Sequence, residues 1–196
     1  AIDENIDISE KANGMLSVQA FTDRLYIRDY LESDFENCVA LYGDSEITKF
    51  FDNGKPRTRK ETSKYIQERG RAYFNKGDPY GLFSVFLKSN SLFIGQVDLV
   101  PTLIPGELEI GWIFHKEHQN KGYCSEVVLR FLMPLIYKIR ENEFKTHKLV
   151  INRIIATAHP ENIPSNRIIQ KAGLSFNGLG HRYGGNPRIW YCLNLK

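Results

Sequence analysis

The run Gln119-Asn120-Lys121-Gly122-Tyr123-Cys124 decides the reading of this chain, because of what stands on either side of it. Before it, Leu82 to Leu87, Leu92 to Val100 and Glu107 to Phe114 are β-branched and aromatic runs separated by Ser-Asn-Ser and Pro-Gly turns, the pattern of an antiparallel meander. After it, Val127, Val128, Phe131, Leu132, Leu135, Ile136 and Ile139 recur at the three-and-four spacing of one buried helical face. Pro134 is expected to kink that helix without ending it. A glycine at such a junction can simply turn the chain. It can also cradle a diphosphate, since the open end of a helix offers unpaired N–H donors and a positive dipole. Gly122 then lets the backbone take an otherwise strained angle and lets phosphate oxygens approach, with Gln119 and Lys121 as side-chain donors at the rim. On six residues alone both readings stand.

Outward from the loop, residues 1–21 read as a polar, aperiodic extension, at most loosely docked, with Asp3, Glu4, Asp7 and Glu10 in it. Leu25 to Arg28 reads as a short strand. Ser33-Asp34-Phe35-Glu36 has capping-box spacing and predicts a helix carrying Phe35, Val39 and Tyr42 inward. Thr58-Arg59-Lys60-Glu61 opens a second helix that runs toward Phe74 and stops at Lys76-Gly77-Asp78-Pro79. Beyond the long helix, residues 141–150 form a polar connection, Ile151 to Ala158 a strand, and Pro164 to Ala172 a short helix ending at Gly173. Leu174 to Tyr183 and Arg188 to Leu195 read as two strands joined at Gly184-Gly185-Asn186. This is an α/β (α+β) chain with one domain over residues 22–196.

Composition agrees with one globular domain: 196 residues, 42% hydrophobic and 25% charged, suffice for a core. A net charge of +3 suits an anionic ligand but falls short of a nucleic-acid-binding face. The densest basic stretch, Lys55 to Lys60, reads as a solvated loop. Cys38, Cys124 and Cys192 are odd in number and far apart, so neither disulfides nor a zinc site is expected, and a reducing cytoplasm fits best. The five histidines lack metal-ligand spacing, and no metal is expected. No apolar run approaches the roughly 20 residues that span a bilayer, and the start is acidic rather than a leader, so no membrane association is expected.

A second block, Asn162-Ile163-Pro164-Ser165 through Lys171-Ala172-Gly173-Leu174, follows a strand, opens a helix and ends it with glycine. The two blocks, in this order and strand-helix context, resemble the two signature motifs of the GNAT superfamily of acetyltransferases: its Q/R-x-x-G-x-G/A loop and its N-x-x-(A/S) helix ending in K-x-G-F. The resemblance covers residues from about 22 to 196. Thr22-Asp23-Arg24-Leu25-Tyr26-Ile27-Arg28, with Asp34 six residues on, further resembles the branch that acetylates N-termini of ribosomal proteins. Two positions depart from the pattern: Cys124 stands where a glycine or alanine is usual, and Ile169 where many relatives carry a tyrosine proposed to protonate the leaving thiolate.

The resemblance implies a mixed, mostly antiparallel sheet of six to seven strands flanked by about four helices. It implies an N-acetyltransferase, a monomer or homodimer, that uses acetyl-coenzyme A and acts by direct attack in a ternary complex. The acceptor would be a protein N-terminus or a small-molecule amine, with aminoglycosides and polyamines open. It further implies that the strand Glu107 to Phe114 splays from its neighbour, that amides near Ile113 and Phe114 meet the acetyl group and pantetheine arm, and that amides of Gln119, Asn120, Lys121, Gly122, Tyr123 and Cys124 hold the diphosphate. Asn162 would bond the pantetheine arm, and Ser165 would sit close to the sulfur unless it caps its helix.

Strand alternation puts Glu107, Glu109, Gly111 and Ile113 on one face. Glu109, and after it Glu107, could take the proton of the amine, or both could be solvated charges or bind a cationic substrate. Tyr183 and Tyr191 are fallback acids, Cys124 is read as packed beside the loop rather than nucleophilic, and His159 as structural. The competing class is a non-catalytic acyl-CoA-binding or sensor module. A nucleotide-phosphate protein is disfavoured, since no G-x-x-x-x-G-K-[ST] sequence occurs.

Overall fold

The structure is a computed structural model that describes residues 5–196; Asp3 and Glu4, assigned above to the polar extension, lie outside the described residues. The meander forms as expected: β4 (Gly81–Leu87), β5 (Phe93–Pro101) and β6 (Glu107–Phe114) pair antiparallel in that order. β9 (Arg153–Ala158) runs parallel to β6, and the C-terminal hairpin β10 (Ser175–Arg182) and β11 (Asn186–Asn194) attaches through β11. At the other edge β3 (Leu25–Asp29) pairs with β4.

The sheet has nine strands, not six or seven, because the polar extension folds. β1 (Ile6–Glu10) and β2 (Leu16–Phe21) add antiparallel to the β3 edge. Alternation in Leu16-Ser17-Val18-Gln19-Ala20 buries the apolar set, leaving Val18 fully enclosed. Asp7 and Glu10, two of the acidic residues that made the segment look unfolded, are exposed on β1. Buried Asp29 fastens it: its Oδ1 accepts from Ser17 Oγ at 2.9 Å and the Val18 N–H at 2.8 Å, and its Oδ2 pairs with Arg71.

Four helical segments flank the sheet. α1 (Phe35–Tyr42) and α2 (Arg59–Arg69) cover one face. The helical rod 123–141 covers the other: α3 (Tyr123–Val127), a π turn (Val128–Leu132) and α4 (Met133–Glu141). The π turn lies just before Pro134, where the missing N–H would break the i→i−4 ladder, so the rod widens by one residue instead of breaking. α5 (Ile163–Lys171) follows β9. The polar connection 141–150 carries a two-residue hairpin, β7 (Lys145–Thr146) with β8 (Leu149–Val150).

The Thr58 box closes as read, with Glu61 N–H donating to Thr58 Oγ1 and Thr58 N–H to Glu61 Oε1, both at 3.1 Å, although α2 ends at Arg69, short of Phe74. The Ser33 box does not form. Asp34 precedes the helix and is buried, accepting from Arg28 at 2.7 and 2.8 Å, Ser84 Oγ at 2.8 Å and the Leu31 N–H at 3.0 Å. α1 accordingly buries Cys38, Leu41 and Tyr42, with Phe35 and Val39 only partly covered. No helix among the described residues is long and apolar enough to cross a membrane.

Candidate active site

The sheet opens between β6 and β9. Their parallel ladder stops at Glu109–Ile155, while β6 continues to Phe114 and β9 to Ala158. Main-chain groups alternate in direction along a strand. Thr102 N–H donates to Glu107 O and His115 N–H to Ile94 O, so the odd-numbered residues of β6 bond toward β5. Ile113 is among them: its amide is taken up by the pairing with β5 and, contrary to expectation, does not face the gap, while its side chain, in the buried cluster that also holds Leu41 and Tyr42, is among those lining the wider cleft. The Phe114 amide does face the gap, and the Trp112 amide joins it.

At the mouth of the gap lies the 119–124 loop. Asn120 at φ 60° and Gly122 at φ 80° are both left-handed, a curl that turns successive N–H groups to one side, and Gly122 is the N-cap of the rod. A Cβ at 122 would come within 3.3 Å of Arg24 Nη2. Gln119 is spent locally, its Nε2 donating to Phe114 O at 3.0 Å, which pins the loop to the open strand edge rather than offering a rim donor.

Arg24, in the β2–β3 turn, was invisible as a site residue in the sequence. It donates from Nη1 to Lys121 O at 2.9 Å and from Nε to Glu126 Oε1 at 2.7 Å, and lies 4.3 Å from the Tyr123 ring centroid. Thr22 Oγ1 also donates to Glu126, at 2.5 Å. Burial pushes the Glu126 carboxyl up, but the Thr22 and Arg24 donors outweigh it and hold it below the usual range. Cys124 is packed against the core, and burial pushes its thiol far up, which suits a structural residue.

α5 faces the gap from the β9 side. Its N-cap is Asn162, whose Oδ1 accepts the Ser165 N–H at 3.4 Å, so Ser165 is not the cap. Ser165 Oγ accepts from Trp112 Nε1 at 3.1 Å. Indole only donates, which leaves the serine proton free to be donated in turn. Tyr191 is no fallback acid: buried, its hydroxyl donates to Asn166 Oδ1 at 2.6 Å. His159 holds a turn, its Nδ1 accepting the Glu161 N–H and its ring lying against Phe50.

On the α1–α2 side the cleft widens to a total of about 1580 Å³. That exceeds the roughly 300–1,000 Å³ of a single-ligand pocket. Glu107 is 2% exposed at its base, accepting from Thr102 Oγ1 at 2.8 Å with Arg153 Nε 3.0 Å away, an ion pair without hydrogen-bond alignment. A buried, paired carboxylate about 17 Å along the strand from Trp112 is badly placed to take an amine's proton. Glu109 is gripped by Arg182 at 2.5 and 2.8 Å, and this contact raises the Arg182 guanidinium further.

The carboxylate that sequence reasoning missed is Asp98 on β5. It lies opposite Gly111, and a Cβ there would stand 2.5 Å from its Oδ1. Burial, then the neighbouring Glu109, pushes its carboxyl up to about 7. Tyr183 lines the same end with its phenol raised by burial and, after it, by Glu109. Arg57, from the basic stretch read as a solvated loop, is instead turned inward, paired to Asp52 and 4.1 Å from the Tyr65 ring centroid. The α1–α2 loop is tied across the cleft to the hairpin: Arg188 Nη1 donates to Phe50 O and Asn186 Nδ2 to Asp52 O, both at 2.9 Å.

Residues 24–175 match the family model described as "Acetyltransferase (GNAT) domain". The uncharacterized N-acetyltransferase YnaD of Bacillus subtilis (strain 168) is 31% identical over 160 residues, covering 81% of this chain and 83% of that protein. The acetyltransferase (GNAT family) from Bacillus anthracis superposes with a TM-score of 0.68 at 27% identity, covering 90% of this chain and 98% of that one. RimL, a ribosomal L7/L12 alpha-N-protein acetyltransferase in complex with coenzyme A, shares the fold with a TM-score of 0.66 at 16% identity, covering 89% and 96% of the two chains. With the split sheet, the glycine loop and the Asn162 helix in their places, the chain belongs to the GNAT family and is an N-acetyltransferase.

Proposed function

We propose that this protein acetylates a primary amine, on a protein N-terminus or a small molecule such as an aminoglycoside or polyamine, with acetyl-coenzyme A as donor. The observation that carries the reading is the gap between β6 and β9, with a left-handed glycine loop at its mouth and a wide cleft behind it. The residues present fit the cofactor: Asn120 and Gly122 curl the backbone through two left-handed positions, and a Cβ at 122 would meet the Arg24 guanidinium at 3.3 Å. When bound, acetyl-coenzyme A supplies the acetyl group as an activated thioester.

The N–H groups of 120–124 would hold the diphosphate, with Arg24 and Lys121 adding charge. The Trp112 and Phe114 amides would orient the acyl end and polarise its carbonyl, and Asn162 would bond the pantetheine arm. Ser165, held by the Trp112 indole, has its proton available for a departing thiolate. Glu109, clamped by Arg182, shapes the acceptor end rather than moving a proton. The cytoplasm is the compartment we assign, from three free cysteines.

Calorimetry with coenzyme A and a thiol-release assay over peptide and small-molecule amines test the proposal. Micromolar binding with turnover of at least one amine class is expected. Binding with no amine-dependent thiol release would leave the acyl-CoA sensor reading. Ser165→Ala should lower turnover about 10-fold or more with cofactor affinity unchanged.

A further inference from the structure

The acceptor face of β6 has a hole in it. Along Glu107, Glu109, Gly111 and Ile113 only Gly111 has no side chain, and Asp98 of β5 occupies its space. Among the described residues, Asp29, Asp34, Glu107, Glu109 and Glu126, carboxylates that are also buried or half-buried, each face an arginine, and half-buried Asp78 has the Tyr80 hydroxyl for a partner. Asp98 has neither. Among the described residues no arginine stands within ion-pair distance of it and no donor of the chain hydrogen-bonds to its side chain, though it lines the cleft. An unpaired carboxylate in a partly dry cleft is costly to the fold and calls for a cationic or proton-bearing partner.

Its position fits that partner. Gly111 adjoins Trp112, whose amide faces the gap, so Asp98, one strand across on β5, is offset from the level of the acyl end by one position, about 3 Å along the strand, against about 10 Å along it for Glu109. Glu109 also has both oxygens occupied by Arg182.

We propose that Asp98 receives the acceptor ammonium and takes its proton, making Asp98 a catalytic residue; this rests on the acetyltransferase reading above. One proton passes from nitrogen to Asp98 Oδ, leaving the lone pair free to form the new C–N bond as the C–S bond breaks. The second nitrogen proton leaves with the thiol, and Asp98 returns the first to water, so ammonium and thioester become amide, thiol and one proton.

The groups that face Asp98 set its balance. Glu109 of β6 opposes ionisation. Arg57 and Arg69, before and at the end of α2, and Arg182 of β10 favour it from beyond contact distance. The phenols of Tyr42, Tyr65 and Tyr183 sense the same charge from α1, α2 and the hairpin turn. A net poise near neutrality is what a general base requires.

The test compares wild type with Asp98→Asn and Gly111→Ala, measuring kcat/KM from pH 5.5 to 9.5 on the best amine and coenzyme A affinity by calorimetry. In the wild type kcat/KM is expected to rise through an inflection near pH 7. Asp98→Asn should lose about 100-fold or more and that inflection, with coenzyme A affinity within twofold. Gly111→Ala, which displaces the carboxylate, should lose rate in the same direction. Carboxyl-carbon NMR of the ligand-free protein should show one resonance, absent from Asp98→Asn, that titrates near neutrality. Asp98→Asn within threefold of wild type with the same inflection, or an Asp98 resonance titrating near pH 4, would overturn the proposal. Wild-type protein that binds coenzyme A yet acetylates no amine overturns this inference and the acetyltransferase reading together, which separates that failure from one of Asp98 alone.

Discussion

At the scale of single residues, Gly122 and Asp98 pose opposite problems. Gly122 is at φ 80°, a backbone region closed to β-branched side chains, with Arg24 Nη2 3.3 Å from where a Cβ would sit. Gly122→Val should raise the coenzyme A dissociation constant about 10-fold or more by calorimetry while the far-ultraviolet circular dichroism stays native. Asp98 strains the fold electrostatically. Its folded carboxyl titrates near 7 against an ordinary value near 3.9, so folded and unfolded chains both hold the proton below about pH 4, and only the folded chain holds it between there and 7. Stability is therefore lost as pH rises across that window. Asp98→Asn should be more stable than wild type at pH 8, by about 2 kcal/mol after allowing for solvent in the cleft, and no different at pH 4, as thermal melts at the two pH values would report.

Helix ends show how far local chemistry carries. Thr58 and Glu61 satisfy each other's amides as their spacing requires, so Thr58→Ala should cost about 1 kcal/mol and lower the melting temperature by about 2–4 °C. Ser33 has the same spacing and fails, because Asp34 has a better use for its carboxylate. Arg28 and Ser84 come from two strands to meet it, and four donors on a buried acid outweigh one exposed cap. The rod 123–141 was legible from its apolar face, whereas the π turn that lets Pro134 stay inside it depends on how the backbone relaxes.

For the whole molecule, the sheet is held on both faces, by the rod on one and by α1 and α2 on the other, and the cleft runs where it splits. The strands β1 and β2 are part of that body rather than an appendage. Val18→Ala, at a fully enclosed position, should cost about 2 kcal/mol and lower the melting temperature by several degrees in a single cooperative transition, whereas a loosely docked tail would give no change.

The sequence by itself determined seven of the nine strands, the helices, the glycine loop and the Asn162 helix, because each rests on periodicity, turn chemistry or spacing within a few residues. It missed β1 and β2 because five- and six-residue alternations among acidic residues look unstructured until a neighbouring edge and a buried Asp29–Arg71 pair receive them. Tertiary structure alone decided which carboxylate is free. Glu107 and Glu109 share a strand face by parity, but whether an arginine meets them depends on Arg153 and Arg182, 46 and 73 residues away. Asp98 stands out only because Gly111 of the next strand yields it space, and such long-range juxtapositions leave no local signature in a chain.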